Sequence, residues 1–177
     1  ENQKRLAKIL DFIGGKEKVL ELVNSFENED DIQNINIYNE TVVKYNNNKI
    51  SFMETDGTLI LEKEFNFEDP FVHYGDKYIY VMDKSTGDIY SFDKDGKTID
   101  RLQFGKEIFN LKESHQNLIY HIKNSDVESI KILDKDRVTF GNYSYEDKNI
   151  LTCVSNINGT RAAISLLNLN EGILKSQ

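Results

Sequence analysis

Along the first thirty residues, apolar positions recur at spacings of three and four: Leu6, Ile9, Leu10 and Ile13, then Val19, Leu22, Val23 and Phe26. Lys4, Lys8, Glu17 and Glu21 fall between them, which is the stripe of an amphipathic helix. Gly14-Gly15 interrupts the stripe, and each glycine costs a helix interior about 1 kcal/mol relative to alanine, so the pattern predicts two short α-helices, 2–13 and 16–27. The acidic run Glu27, Glu29, Asp30 and Asp31 lies where a helix dipole disfavours negative charge and marks the exit into a linker. Residues 1–31 are thus expected to be an N-terminal helical segment packed on the body of the domain. The alternative is a stalk leading from a membrane anchor, or a helix for a partner. Because the chain opens on Glu1, it is expected to be processed or trimmed, with any membrane anchor outside it.

From Ile35 onward the helical period disappears and short alternating runs take over. Val42–Tyr45, Ile50–Met53, Leu59–Leu61, Tyr78–Val81, Ile89–Phe92, Leu118–His121, Ser129–Leu133, Leu151–Val154 and Ala163–Leu167 are β-rich and bounded by Gly, Asn or Asp. Pro70 lies between runs, where it breaks no ladder. The runs repeat: strands end in polar turns at Asp56-Gly57, Asp95-Gly96, Asp136-Arg137 and Glu171-Gly172, a period near 40 residues. Hairpins at Asn47-Asn48, Ser85–Gly87, Asn124–Asp126 and Asn158-Gly159 precede these turns. A period of about 40 built from short strands is that of propeller blades, whose small sheets bury their faces by stacking on neighbours. Residues 32–177 are therefore expected to form a mainly β domain of about four propeller-like antiparallel units, a small, open or partial propeller preceded by the two helices. The repeat region, Tyr38 to Leu174, holds about 34 residues per unit against ~40 to 45 for a four-stranded blade, so some units are expected to have only three strands.

The stretch from Tyr78 to Lys97, YIYVMDKSTGDIYSFDKDGK, resembles a blade of the pyrroloquinoline-quinone-type β-propeller: a strand, a turn ending in Gly87, an aromatic strand and an Asp-x-x-Gly turn. The third and fourth units have lost the glycine or the aromatic residue. Together with the N-terminal lead-in, the arrangement is similar to an uncharacterised family of membrane-anchored, propeller-like proteins of Gram-positive bacteria. The resemblance covers roughly 38–174 and implies an extracytoplasmic, cell-surface place, the alternative being cytoplasmic. The chain has no tryptophan for the packing used by the quinone enzymes, and their quinone and calcium ligands fall on no residue here.

Composition narrows the function classes. A chain of 177 residues is one domain of ordinary size. Its net charge of −8 lacks the basic surplus that nucleic-acid binding needs, so no nucleic-acid partner is expected. No apolar run approaches the ~18 to 20 residues that span a bilayer. The single cysteine, Cys153, excludes an intramolecular disulfide and a multi-cysteine metal site.

Candidate chemistry is sparse. Asp93, Asp95 and Asp100 with Gly96 suggest a calcium loop, but the glycine falls at position 4 instead of 6 and no Glu occupies position 12. His73, His115 and His121 lie in different segments without metal-ligand spacing, and Ser114 to Asn117 reads as a turn. Cys153, in the apolar run Leu151–Val154, reads as a buried side chain. Phe65, Phe67, Phe71 and Tyr74 cluster around Asp69-Pro70; buried, they fill the space between two units, and exposed, they would stack on sugars or grip a peptide. No nucleophile elbow, Walker loop or dinucleotide fingerprint occurs. No catalytic, cofactor-binding or metal role is assigned to any residue, and no cofactor is expected. The expected function is a non-catalytic extracytoplasmic binding or scaffolding module for a protein or carbohydrate ligand. The alternatives are a carbohydrate-active or lactonase-like propeller enzyme and a self-assembling half-propeller that forms a homo-oligomer.

Overall fold

A computed structural model describes residues 34–124 and 126–168. Its elements are β1 (Asn34–Tyr38), β2 (Thr41–Asn46), β3 (Lys49–Met53), β4 (Leu59–Glu64), β5 (Pro70–Tyr74), β6 (Ile79–Asp83), β7 (Asp88–Phe92), β8 (Thr98–Gln103), β9 (Ile108–Ser114), β10 (Asn117–Asn124), β11 (Val127–Leu133), β12 (Thr139–Glu146), β13 (Asn149–Ser155) and β14 (Ala162–Leu167). They form four antiparallel sheets, β1–β4, β5–β8, β9–β12 and the pair β13–β14, in a propeller-like stack.

This corrects the expected fold class of repeats preceded by two α-helices: among the described residues every element is a strand and none is a helix. Both expected helices, and the whole 1–31 segment, lie outside the described residues. The expectation of three-stranded units is also corrected for the first three sheets. The first three sheets have four strands each, because polar runs such as Thr98–Gln103 pair at sheet edges where no apolar alternation is needed. Pro70 is the first residue of edge strand β5, a position where its missing N–H interrupts no ladder.

The repeats are visible at the level of single hydrogen bonds. In the turns between third and fourth strands, Glu54, Asp93 and Asp134 each donate N–H to the carbonyl four residues on, at 2.8, 3.0 and 2.9 Å. Each of their carbonyls accepts from the residue three on, Gly57, Gly96 or Arg137, at 2.9, 3.1 and 3.0 Å. Each of those three residues has positive φ: 88°, 80° and 64°. After each turn the register slips by one, bulging Ile60, Ile99 and Phe140 out of the ladder. The fourth expected turn, Glu171-Gly172, lies outside the described residues.

Register also fixes which residues face which neighbour. Val43, Tyr45, Ile50 and Phe52 of the first sheet pack on Ile79, Val81 and Phe92 of the second. Tyr80, Met82 and Ile89 on the second sheet's other face pack on Leu118, Tyr120 and Leu133 of the third. Ile119, Ile130 and Ile132 then receive Ile150, Cys153 and Leu166 of the fourth. Both faces of the middle sheets are therefore apolar, and burial between sheets holds the stack together.

Candidate functional site

Three sheets with matched registers make departures from the repeat easy to locate. Val43↔Phe52, Tyr80↔Ser91 and Ile119↔Ile132 are the same cross-strand pair in successive sheets. In the first sheet a Cβ on Gly96, from the turn of the following sheet, would lie 2.8 Å from the Phe52 ring, so that interface is closed. In the second sheet Ser91 stands at the Phe52 position and Tyr80 at the Val43 position. The turn that follows carries Arg137 where the earlier two carry glycine. Small for large, tyrosine for valine and arginine for glycine all occur at the junction of the second and third sheets.

At the turn edge of that junction lies a cavity of about 460 Å³, and of the three residues Tyr80 and Arg137 line it. Arg137 Nη2 donates to the Tyr80 hydroxyl at 2.6 Å, and the Tyr80 hydroxyl donates to Glu113 Oε1 at 2.7 Å. Glu113 Oε2 accepts the Asp76 N–H at 2.6 Å, pinning the β5–β6 turn. The guanidinium lies 5.0 Å from the Tyr78 ring centroid and 5.1 Å from that of Tyr80, within cation–π range. Lys77, Lys135 and His115 are exposed on the cavity wall.

Burial drives the Tyr80 hydroxyl well above its usual pKa; the hydrogen bond to Glu113 adds to this, and Arg137 opposes it. Tyr38 is pushed up to about 12, chiefly by burial, with Glu113 and Asp76 contributing. His73 is held below its ordinary value by burial, with Glu113 and Asp76 opposing. The Tyr38 and Tyr120 hydroxyls and His73 Nε2 are buried without hydrogen-bond partners. The Tyr80 phenol is thus held neutral between a carboxylate and a cation.

The residues weighed in the sequence fall elsewhere, with one exception. Asp93 Oδ1 accepts the Asp95 and Lys97 N–H groups, so its carboxylate shapes the turn. Asp95 pairs with Lys94, and Asp100 accepts from the Arg101 backbone. Among the described residues no group of His, Cys, Asp or Glu is arranged to hold a metal. The three histidines separate: His73 lies in β5, His121 sits 3.0 Å from Glu128, and His115 alone reaches the cavity. Cys153 is buried and its thiol is pushed up by burial.

The expected aromatic cluster divides. Phe65 and Phe67 stack at 4.7 Å and pack on Tyr90, Tyr74 turns to Tyr38 and Asn34, and Phe71 is exposed. Tyr80, Glu113 and Arg137 were not expected as site residues. The signal was the loss of glycine in the third turn, which gains meaning only once the register shows what faces it.

No curated protein matches the sequence. Among solved structures, the chain is similar to the N-terminal domain of Nup159 at 20% identity and a TM-score of 0.47, covering 82% of this chain and 43% of that one. It is similar to the Neurospora crassa Pan2 WD40 domain at 13% identity and a TM-score of 0.45, covering 82% of this chain and 50% of that one. The chain thus spans half or less of each of these structures. A model described as a family of unknown function, DUF5711, matches residues 16–177, and the chain belongs to that family.

Proposed function

We propose that the chain is a non-catalytic binding or scaffolding module whose recognition site is the cavity between its second and third sheets. One observation carries the reading: two departures from an otherwise regular repeat, Tyr80 and Arg137, meet in that cavity. A module needing only to fold would keep glycine at position 137, as it does at 57 and 96. A local rule broken for no net structural gain points to a functional position. The stacked sheets supply a rigid frame, and the cavity supplies a cation held in place by Tyr80. The extracytoplasmic placement is part of the same proposal; its support is the sequence resemblance to quinone-type blades and to an anchored Gram-positive family.

The test is a screen of the purified chain on peptide and glycan arrays, with Arg137→Gly alongside. Arg137→Gly restores the turn residue of the other sheets and removes the cation. A ligand class bound by the wild type and lost in the variant is the expected result. Ligands retained equally by both proteins, or turnover of a bound sugar, would overturn it.

A further inference from the structure

We infer that the cavity recognises a carboxylate, presented by an acidic peptide, through Arg137; this rests on the binding-module reading above. A balance of hydrogen-bond donors and acceptors supports it. Of the carboxylates lining the cavity, Glu113 is engaged by the Tyr80 hydroxyl and the Asp76 N–H. Asp134 Oδ1 accepts the Asp136 and Val138 N–H groups at 2.9 Å each. Only Asp76 leaves its carboxylate exposed on the rim.

The cations are in the opposite condition. Among the described residues the ion pairs are Lys49–Glu62, Lys94–Asp95, Arg101–Asp88, His121–Glu128 and Lys123–Glu128. Arg137, Lys77 and Lys135, all on the cavity wall, belong to none of them. Arg137 spends one N–H on a neutral hydroxyl, and four donors remain on its planar fork. Tyr78 and Tyr80 hold the fork flat, so little side-chain freedom is lost when it takes a two-oxygen acceptor. The lining holds three cations and three carboxylates, but Glu113 and Asp134 are tied into the frame by neutral donors, whereas the donors of Arg137, Lys77 and Lys135 are left for an incoming carboxylate.

A peptide fits better than a free ion because the cations are spread over two turns, with Lys77 after β5 and Lys135 after β11. Arg137 takes one carboxylate, and the two lysines stand ready for its neighbours. Tyr80 and Glu113 are positioning residues that aim the guanidinium.

The test is an amide chemical-shift titration of the full chain with acetyl-Glu-Glu-Glu-amide, with acetyl-Gln-Gln-Gln-amide as the neutral control and inorganic phosphate as a separate probe. The glutamate peptide is expected to shift amides of 76–80, 113–117 and 134–137, with affinity falling as salt rises. Arg137→Gly and Arg137→Asn, both suited to positive φ, are expected to weaken it about 10-fold or more, and Asp76→Asn to tighten it. Shifts elsewhere, equal shifts from the glutamine peptide, or unchanged affinity in both Arg137 variants overturn the inference. Saturation by phosphate with no response to the glutamate peptide overturns the peptide assignment and leaves the cavity as a binding site. If no probe reaches the cavity and the arrays return ligands indifferent to Arg137, the binding-module reading fails as well.

Discussion

Arg137 and Gly96 occupy the same turn position, yet the structure asks different things of them. A β-carbon at positive φ costs about 1 kcal/mol, and Arg137 bears that cost at φ 64°. It recovers a comparable amount from the Tyr80 hydrogen bond and the two ring contacts. Arg137→Gly is therefore expected to change unfolding free energy by no more than about 1 kcal/mol in urea titrations. Gly96→Ala carries the strain of φ 80° and a Cβ 2.8 Å from Phe52 with nothing to offset either, and is expected to cost about 2 kcal/mol or more. If Arg137→Gly proved the more damaging of the two, arginine would be a structural necessity of the third turn and the functional argument would lose its footing. Gly75 gives a third check. A Cβ there would meet the Glu113 carboxyl group at 2.5 Å, so Gly75→Ala should displace that side chain from Tyr80 and weaken ligand binding with the fold retained.

At the scale of elements, buried carboxylates join one sheet to the next. Asp83, ending β6, accepts from the Glu68 and Asp69 N–H groups on the incoming connection and from the N–H and hydroxyl of Ser85. Glu128 in β11 does the same for the fourth sheet, accepting the Ile150 N–H at 2.7 Å beside His121. Burial alone would raise both carboxyls; the hydrogen bonds outweigh it and hold them below 3.8 and 4.5 respectively. A carboxyl lowered by folding stabilises the fold above its unfolded value and loses that contribution as pH falls through the folded one. Stability should thus be level above about pH 5 and decline below about pH 4. Asp83→Asn should cost about 1 to 3 kcal/mol at neutral pH, because an amide cannot accept all four donors, and should flatten part of the acid decline. An acid profile identical in the variant would remove Asp83 from this role. These joints are hard to see in the sequence because each carboxylate meets backbone N–H groups 14 to 22 residues away. The strands they join divide in the same way. Central strands such as β6 and β10 carry apolar runs and are legible, whereas β5, β8, β9 and β12 mix polar and apolar positions because one edge or face meets water. The turns were legible for a different reason: Asp and Gly at fixed offsets are dictated by local backbone geometry. The cavity was not, since Tyr80 and Arg137 meet only through the stacking of two sheets.

Across the whole molecule the stack is asymmetric, and that asymmetry predicts where it opens first. The first sheet's outward face presents Lys44, Ser51 and Met53 where the second has Val81, Tyr90 and Phe92. A Lys49–Glu62 pair at 3.2 Å and a Ser51–Glu62 hydrogen bond at 3.1 Å lie across that face. The opposite end is different: among the described residues the fourth sheet has two strands, β13 and β14, which bury Ile150, Cys153 and Leu166 on the third sheet and leave Leu151 59% and Ile157 72% exposed. β13 continues the pattern of a first strand: Leu151 bulges one residue after buried Ile150, as Phe109 does after Ile108, and Ser155 donates its N–H to Ser114 Oγ at 2.9 Å. A two-stranded sheet is marginal by itself, so its stability is borrowed through one face and a few tethers. Native-state hydrogen exchange should therefore show the amides of β13 and β14 opening at lower free energy than those of β6, β7 and β10, whose central residues are buried on both faces. Ile150→Ala should lower protection of the fourth sheet first, while the second sheet keeps its own. Exchange in which all four sheets open together at the global free energy would show one cooperative unit, and the description of a rigid centre with a detachable end would be wrong.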